Sequence, residues 1–316
     1  MRAEIRRDEV ERYNPELGLE SVPCNLCGST STTQVLAANT SLADLRAAAF
    51  ACTSPDVGQH GTIVRCDNCG LVYTNPRPTA ELLDALYADV EDNVYLEDEE
   101  ARVATFRHAL VGVRKRAPGG RLLDIGSHVG TFLQLAREAG YDVSGVEPST
   151  WAAEYARNTR GLDVRPCGLT TAGFEPESFD VVTMWDVIEH FADPKEELRQ
   201  VHGVLKPGGL FALTTMDVGA LLPRVLRGRW PWYMLMHQYF FTPQTLSRML
   251  DEVGFEVIAI EPHIRITYVR YVASKLEAYS RGLHRVATLL TEKTGIGGMR
   301  IPVNLGDLMT VYARKR

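Results

Sequence analysis

Three groups of residues in this chain have chemistry to offer. Cys24-Asn25-Leu26-Cys27-Gly28 and Cys66-Asp67-Asn68-Cys69-Gly70 are two C-x-x-C-G knuckles. Each can wrap two thiolates around one corner of a tetrahedral Zn2+, and the glycine relieves the turn that points both sulfurs inward. Asp124 and Gly126 close one apolar run and Glu147 closes the next; a carboxylate at a strand tip can accept both hydroxyls of a ribose. Asp186, Glu189 and His190 follow a third apolar run, and His237 and Tyr239 lie in an aromatic segment beyond it. Imidazole is the default general base near neutral pH.

The elements that must position these groups can be read from the pattern. Arg121 to Ile125 reads as a strand, Gly126-Ser127-His128-Val129-Gly130 as a turn, and Phe132 to Ala139 as a helix stopping at Gly140. Asp142 to Val146 is then a second strand that delivers Glu147-Pro148. Glycine permits positive φ and lets a ligand approach the backbone, while the first-turn N–H groups of the helix point over the strand ends. Thr150 caps a helix to Asn158, and a short strand runs from Leu162 to Arg165. Phe179 to Trp185 reads as a central strand buried on both faces, and Pro194 to Leu205 as a helix. The Lys206-Pro207-Gly208-Gly209 turn leads into a strand from Leu210 to Thr215. This alternation predicts a Rossmann-like, doubly wound α/β sheet. Aligned on Gly126, a dinucleotide fingerprint would require glycine where His128 and Thr131 stand, so the nicotinamide reading weakens.

The Asp124-Ile125-Gly126 turn, Glu147, the Asp186-Val187-Ile188-Glu189-His190 segment with Asp193-Pro194, and the Lys-Pro-Gly-Gly turn occur in that order. Together they resemble the motifs of class I S-adenosylmethionine-dependent methyltransferases, over residues 119 to 316. The resemblance implies S-adenosyl-L-methionine as cofactor, held by Asp124, Gly126, Ser127, His128, Gly130, Phe132, Glu147, Pro148, Leu169, Trp185 and Asp186. It also implies in-line methyl transfer, and a final strand, Gly306 to Ala313, inserted antiparallel beside strand six, Phe255 to Ile260. His128 departs from the commonest form of the loop. Where the acceptor carries a proton, His237, Tyr239 and His190 are the candidate bases, in that order. The stretch from His237 through Phe255 resembles zinc-ribbon-bearing small-molecule methyltransferases.

The expected organisation is an N-terminal zinc-ribbon domain over 1–78, a helical linker over 79–118 and the catalytic domain over 119–316, with a lid insertion at 216–241. No His or carboxylate replaces a thiolate among Cys24, Cys27, Cys66 and Cys69, so a Zn2+ there is structural; a thioredoxin-like redox pair is the alternative. Ala43 to Phe50 reads as a helical insertion, and Cys52 as a small buried side chain. Helices are expected from Thr79 to Tyr87 and from Ala101 to Lys115. Tyr87 and Tyr95 either pack or close over the cofactor. Within the lid, Trp230, Trp232, His237 and Tyr239 form either an aromatic pocket or a pinning cluster. Ile266 to Leu290 reads as a mixed helical region and Thr291 to Asn304 as a loop.

The 316 residues carry a net charge of −6 with 45% apolar and 23% charged side chains, the balance of an ordinary globular protein without a positive field for phosphate backbones or anionic lipid. Between Cys24 and Cys69 the basic residues besides His60 are Arg46 and Arg65, too few for a phosphate track. Met1 to Glu20 has no apolar core of a signal peptide, which predicts a cytoplasmic protein with no membrane association. A small-molecule acceptor, a sugar or a specialised-metabolite intermediate, is expected. The alternatives are an RNA methyltransferase with the ribbon as a clamp, and a non-catalytic scaffold that binds S-adenosylmethionine.

Overall fold

A computed structural model describes residues 18–41, 45–54, 56–276 and 281–316. The amino-terminal part contains β1 (Leu19–Glu20), β2 (Thr32–Leu36), β3 (Ile63–Cys66), β4 (Val72–Thr74) and β5 (Arg77–Pro78). Of the expected helical insertion, a single 3-10 turn forms at Ala47–Phe50; Ala43 and Asp44 lie outside the described residues. Two helices follow, α1 (Ala80–Ala88) and α2 (Glu99–Arg116). Thr79 caps α1 as its sequence predicts, accepting from the Leu82 N–H.

The core unrolls as β6 (Arg121–Ile125), α3 (Thr131–Glu138), β7 (Asp142–Val146), α4 (Thr150–Arg160), β8 (Val164–Arg165), β9 (Phe179–Trp185), α5 (Pro194–Val204) and β10 (Leu205–Met216). The caps explain the helix starts. Ser149, one residue before the expected Thr150, takes the Ala152 N–H at the head of α4, and Asp193 takes the Glu196 N–H at the head of α5. After β10 come α6 (Leu221–Leu226), β11 (Tyr239–Phe240) and α7 (Pro243–Glu252). Thr242 and Thr245 close a capping box before the N1 proline of α7. The chain finishes with β12 (Phe255–Pro262), β13 (Arg265–Tyr268), α8 (Val269–Lys275), α9 (Arg281–Thr294), β14 (Arg300–Val303) and β15 (Leu308–Lys315).

One seven-stranded sheet has the order β12-β15-β10-β9-β6-β7-β8. Strand β15 runs antiparallel to both β10 and β12, while β10, β9, β6, β7 and β8 pair in parallel. This is the class I methyltransferase arrangement of a Rossmann-like sheet. Phe179, Val181, Val182 and Met184 of the central β9 are almost completely buried, as a strand covered on both faces requires. The carboxyl ends of β6, β7 and β9 lie on one side and carry the Asp124, Glu147 and Asp186 regions, where open α/β sheets bind ligands.

Residues 216–241 do not stand apart from the knuckle strands. Strand β11 pairs antiparallel with β4, Tyr239 opposite Tyr73 and Phe240 opposite Val72, and completes a sheet of order β11-β4-β3-β2. Sequence position alone assigns residues 216–241 to the core; the register joins them to the knuckle strands. The region after β12 also differs from expectation. Residues 265–268 and 300–303 form a β13–β14 hairpin flanking α8 and α9, because Arg265-Ile266-Thr267-Tyr268 carries strand-compatible side chains that a helical pattern overrides on paper. Residues 277–280 lie outside the described set. No helix among the described residues is long and apolar enough to cross a membrane.

Candidate functional site

The β6–α3–β7 unit builds the first half of the cleft. Gly126 has φ 68°, and a Cβ there would stand 2.6 Å from a Val187 methyl, so glycine is required on both counts. Its N–H and that of Ser127 bond the Val146 carbonyl at 2.9 and 3.1 Å. His128 adopts φ 48°, a left-handed conformation uncommon for non-glycine residues and concentrated at functional sites. Its N–H donates to Glu147 Oε2 at 2.8 Å, while the Ser149 N–H donates to Glu147 Oε1 at 2.8 Å. Each carboxylate oxygen retains a lone pair for a ligand hydroxyl. Burial raises the Glu147 carboxyl to about 7 and the Asp124 carboxyl to about 8. Asp124 also accepts from the Thr183 hydroxyl at 2.7 Å. Pro148 follows Glu147 half-buried.

Unpaired polar atoms mark what this half is shaped for. Ser127 Oγ, both ring nitrogens of His128, Thr131 Oγ1 and Trp185 Nε1 are buried without a hydrogen-bond partner, and native structures seldom leave such groups unmatched. They surround a glycine turn between two buried carboxyl groups, and that donor and acceptor set fits a cofactor with a nucleoside at one end and an amino-acid group at the other. Two expected contacts change character. The Phe132 ring packs edge-on to Trp185 at 4.9 Å in the core, and the Leu169 side chain belongs to the core cluster on the other sheet face. Both side chains are buried in the core.

A Cys52–Asp92–His128 group closes one end of this half, with a ligand atom from each within 4.8 Å of the others. The sequence reads Cys52 as a buried filler, and the structure corrects this: the residue is exposed. Tyr95 lies tilted against His128, ring centroids 3.9 Å apart, and carries Arg102 on its ring at 3.7 Å. Burial pushes the imidazole of His128 down to about 4.

The second half starts at the tip of β9. Asp186 has φ 55° and is held by the Thr214 hydroxyl on Oδ1 at 2.8 Å and by Arg265 Nη2 on Oδ2 at 2.6 Å. Burial works to raise this carboxyl, but Arg265, His263 and Thr214 outweigh it and hold it below its ordinary value. Trp232 lies 5.0 Å from the Arg265 guanidinium, and its Nε1 donates to Asp307 Oδ2 at 3.1 Å. Trp230 is fully buried on the same Asp307 oxygen, so it pins the lid and does not line a pocket.

His237 keeps its place as a candidate base. Its Nδ1 is 2.7 Å from the Trp232 carbonyl, which can only accept, so Nδ1 bears the proton and Nε2 the lone pair. Burial, then neighbouring His190, pushes it down to about 3, leaving a neutral imidazole. A Glu189 oxygen and one nitrogen each of His190 and His237 lie within 4.8 Å. Burial, then Asp186, raises Glu189 to about 8. The other two expected bases are corrected. In His190, Nδ1 meets the Tyr87 hydroxyl and the Met236 carbonyl at 2.8 and 3.1 Å, and Nε2 meets the Asp186 carbonyl at 3.1 Å; both nitrogens are committed to holding the loop. Tyr239 is 1% exposed, and its hydroxyl accepts from Arg77 at 2.8 Å and donates to the Ala192 carbonyl at 3.1 Å, which places it in the seam between ribbon and core.

Sequence reading missed Arg265. A signal was present: His263 and Arg265 follow the carboxyl end of β12, which runs in the same direction as β10, β9 and β6, and that is the ligand-binding end.

Away from this cleft, the four knuckle sulfurs converge. Cys24 and Cys69 Sγ are 3.4 Å apart, Cys27 and Cys66 Sγ 3.5 Å, and all four lie within 4.8 Å. A tetrahedral ion with bonds of about 2.3 Å places sulfurs about 3.8 Å apart, so the set fits Zn2+. A groove of about 670 Å3 beside it, lined by Asn25, Arg77, Lys195 and Arg248 among others, is the seam between ribbon and core and is separate from the cleft.

Residues 95–260 match the family model described as a methyltransferase domain. The chain belongs to the methyltransferase-domain family. Its resemblance to the class I, S-adenosylmethionine-dependent group holds. It is 32% identical over 155 residues to the ubiquinone biosynthesis O-methyltransferase of Idiomarina loihiensis, covering 45% of this chain and 64% of that one. The protein of the same name from Ruegeria pomeroyi is 29% identical over 165 residues, covering 47% and 64%. The chain thus spans just under two thirds of the length of these curated relatives. Among solved structures, a methyltransferase from Thermotoga maritima described as a possible histamine N-methyltransferase aligns at 21% identity and a TM-score of 0.46, covering 67% of this chain and 89% of that one.

Proposed function

We propose that this protein is an S-adenosylmethionine-dependent methyltransferase acting on a small-molecule acceptor. The observation that carries the reading is the β6–α3–β7 turn, where unpaired buried polar atoms of Ser127, His128 and Thr131 stand between the carboxyl groups of Asp124 and Glu147. Glu147 would take the ribose hydroxyls, and Ser127, His128 and Thr131 the amino-acid end. Asp124, Gly126, Gly130, Trp185 and Asp186 frame the space between. The bound cofactor supplies a methyl group already activated on a sulfonium sulfur. The protein's task is therefore to align the acceptor and exclude water.

His237 is the proposed general base, since its Nδ1 is fixed as a donor and its Nε2 lone pair is free to take an acceptor proton. Tyr87 and His190 hold the loop beneath it. The four cysteines are proposed to bind a structural Zn2+, keeping in place the sheet on which the lid strand rests. The 1–78, 79–118 and 119–316 divisions remain our working domain boundaries, with the lid shared between the outer two. The homologues named for ubiquinone biosynthesis agree with O-methylation of a small hydroxylated compound.

Calorimetry of zinc-replete protein with S-adenosylhomocysteine is the direct test. A stoichiometric heat is expected; no heat and no thermal shift would remove the reading. A mass-shift screen of hydroxylated metabolites with S-adenosylmethionine then identifies the acceptor.

A further inference from the structure

Arg265 brings a full positive charge to the acceptor half of the cleft. Its side chain is 30% accessible and that of Asp186 is 36%, although Trp232 and Asp186 press against the guanidinium. Asp186 takes an N–H of Nη2; among the described residues no other acceptor engages the group. Of five N–H donors in a planar fork, most are therefore free.

Charge balance says what the fork can take. Asp186 and Arg265 cancel. His190, His237 and His263 are pushed down by burial to about 4, 3 and 4, so they are neutral at pH 7, and Glu189, raised to about 8, is largely protonated. A monoanion can enter at moderate cost, whereas a dianionic phosphate finds no second cation. Planar carboxylates match the guanidinium fork best.

We propose that Arg265 is an acceptor-binding residue and that the acceptor carries a carboxylate, gripped by the free N–H edge of Arg265 beside Asp186. This rests on the methyltransferase reading above and names the substrate class for that site. The carboxylate anchors the acceptor at the β9 tip, between Trp232 and the cofactor half, with its nucleophilic atom left for the methyl group.

The test titrates zinc-replete protein saturated with S-adenosylhomocysteine. Probes are 4-hydroxybenzoate, 3,4-dihydroxybenzoate and glucuronate, their matched amides, and phenyl phosphate and glucose 6-phosphate. Carboxylates are expected to bind at least about tenfold more tightly than their amides, the value of a charge-assisted pair. Arg265→Gln should erase that difference and leave S-adenosylhomocysteine affinity within about twofold. If Arg265→Gln does not fold, Arg265→Lys decides: retaining charge but not the fork, it should lose a few-fold in carboxylate affinity and nothing for the amides. Equal binding of acids and amides, no carboxylate bound, tighter binding of the phosphates, a preference surviving Arg265→Gln, or, where that variant does not fold, a preference undiminished in Arg265→Lys would overturn the proposal. Failure of S-adenosylhomocysteine itself to bind would instead overturn the underlying methyltransferase reading.

Discussion

Asp124, the Gly126–Gly130 turn and Glu147 come from one uninterrupted strand-turn-helix-strand unit, whereas Asp186, the Trp232–His237 segment and Arg265 are drawn from three separate places in the chain. The first half is locked by its own backbone: the His128 and Ser149 N–H groups hold Glu147, and the Val146 carbonyl holds the glycine turn. The second half is locked by partners from elsewhere. His237 lies between the Trp232 carbonyl and the Thr74 hydroxyl, which donates to the His237 carbonyl at 3.1 Å, and β11 rests on the ribbon. A site assembled locally should survive damage to the ribbon, and a site assembled over long range should not.

The largest expected effect follows from that contrast. Cys66→Ser, or a chelator acting on the proposed Zn2+ site, should abolish methyl transfer by more than about 100-fold, because structural zinc in small modules is worth on the order of 10 kcal/mol of folding free energy. S-adenosylhomocysteine affinity, read by calorimetry, should fall by less than about fivefold. Parallel loss of both would erase the distinction between the halves.

His237→Ala comes next, with turnover expected to drop by about 10² to 10⁴, the usual range for losing a general base. Cofactor affinity should hold within about twofold; a matching loss of affinity would mean that the imidazole belongs to the cofactor half.

On the other side, Glu147→Gln should weaken S-adenosylhomocysteine by about tenfold or more, the scale of a lost charged hydrogen-bond acceptor. A pH series sharpens this. The Glu147 carboxyl rises from 4.5 to about 7 in the folded chain, so folding holds its proton more tightly than the unfolded state does. The stability it contributes is present below about pH 4.5 and is lost as pH rises to about 7. The denaturation midpoint of Glu147→Gln relative to wild type should therefore climb across that window and level off above it. A flat difference would show that the carboxyl is not buried as described.

Tyr239→Phe is the smallest. It removes the hydroxyl from Arg77 and the Ala192 carbonyl and should cost about 1 kcal/mol in denaturant unfolding, with turnover within about twofold. A tenfold drop in turnover would move Tyr239 out of the seam and into the acceptor half.

The same contrast explains what could be read in advance. Strand β9 begins and ends where its apolar run does, and β7 is bounded by Gly140 and Glu147, because local patterning and turn residues act within a few positions. The cysteine knuckles were legible for the same reason. Tyr239 was not: its aromatic segment looks like a pocket wall, and the strand pairing with Val72 and Tyr73 that buries it lies over 160 residues away in the chain. Arg265 was hidden in a stretch whose composition allows helix, and its meaning depends on Asp186, which a one-dimensional pattern does not bring near. Leu169 runs the other way. A strand-tip position suggested ligand contact, but a leucine next to the apolar face of α5 finds more burial in the core.

Strand β15 lies between β10 and β12, bonded to both from residues 308–315. During synthesis, β10 is made roughly a hundred residues before the strand that must sit beside it. Until then its edge is open and strongly apolar, a template for unwanted pairing. The sheet therefore closes late, and truncations that remove β15 should aggregate during expression and not yield a smaller, working enzyme. Expression yield, more than catalytic rate, will report substitutions in that strand.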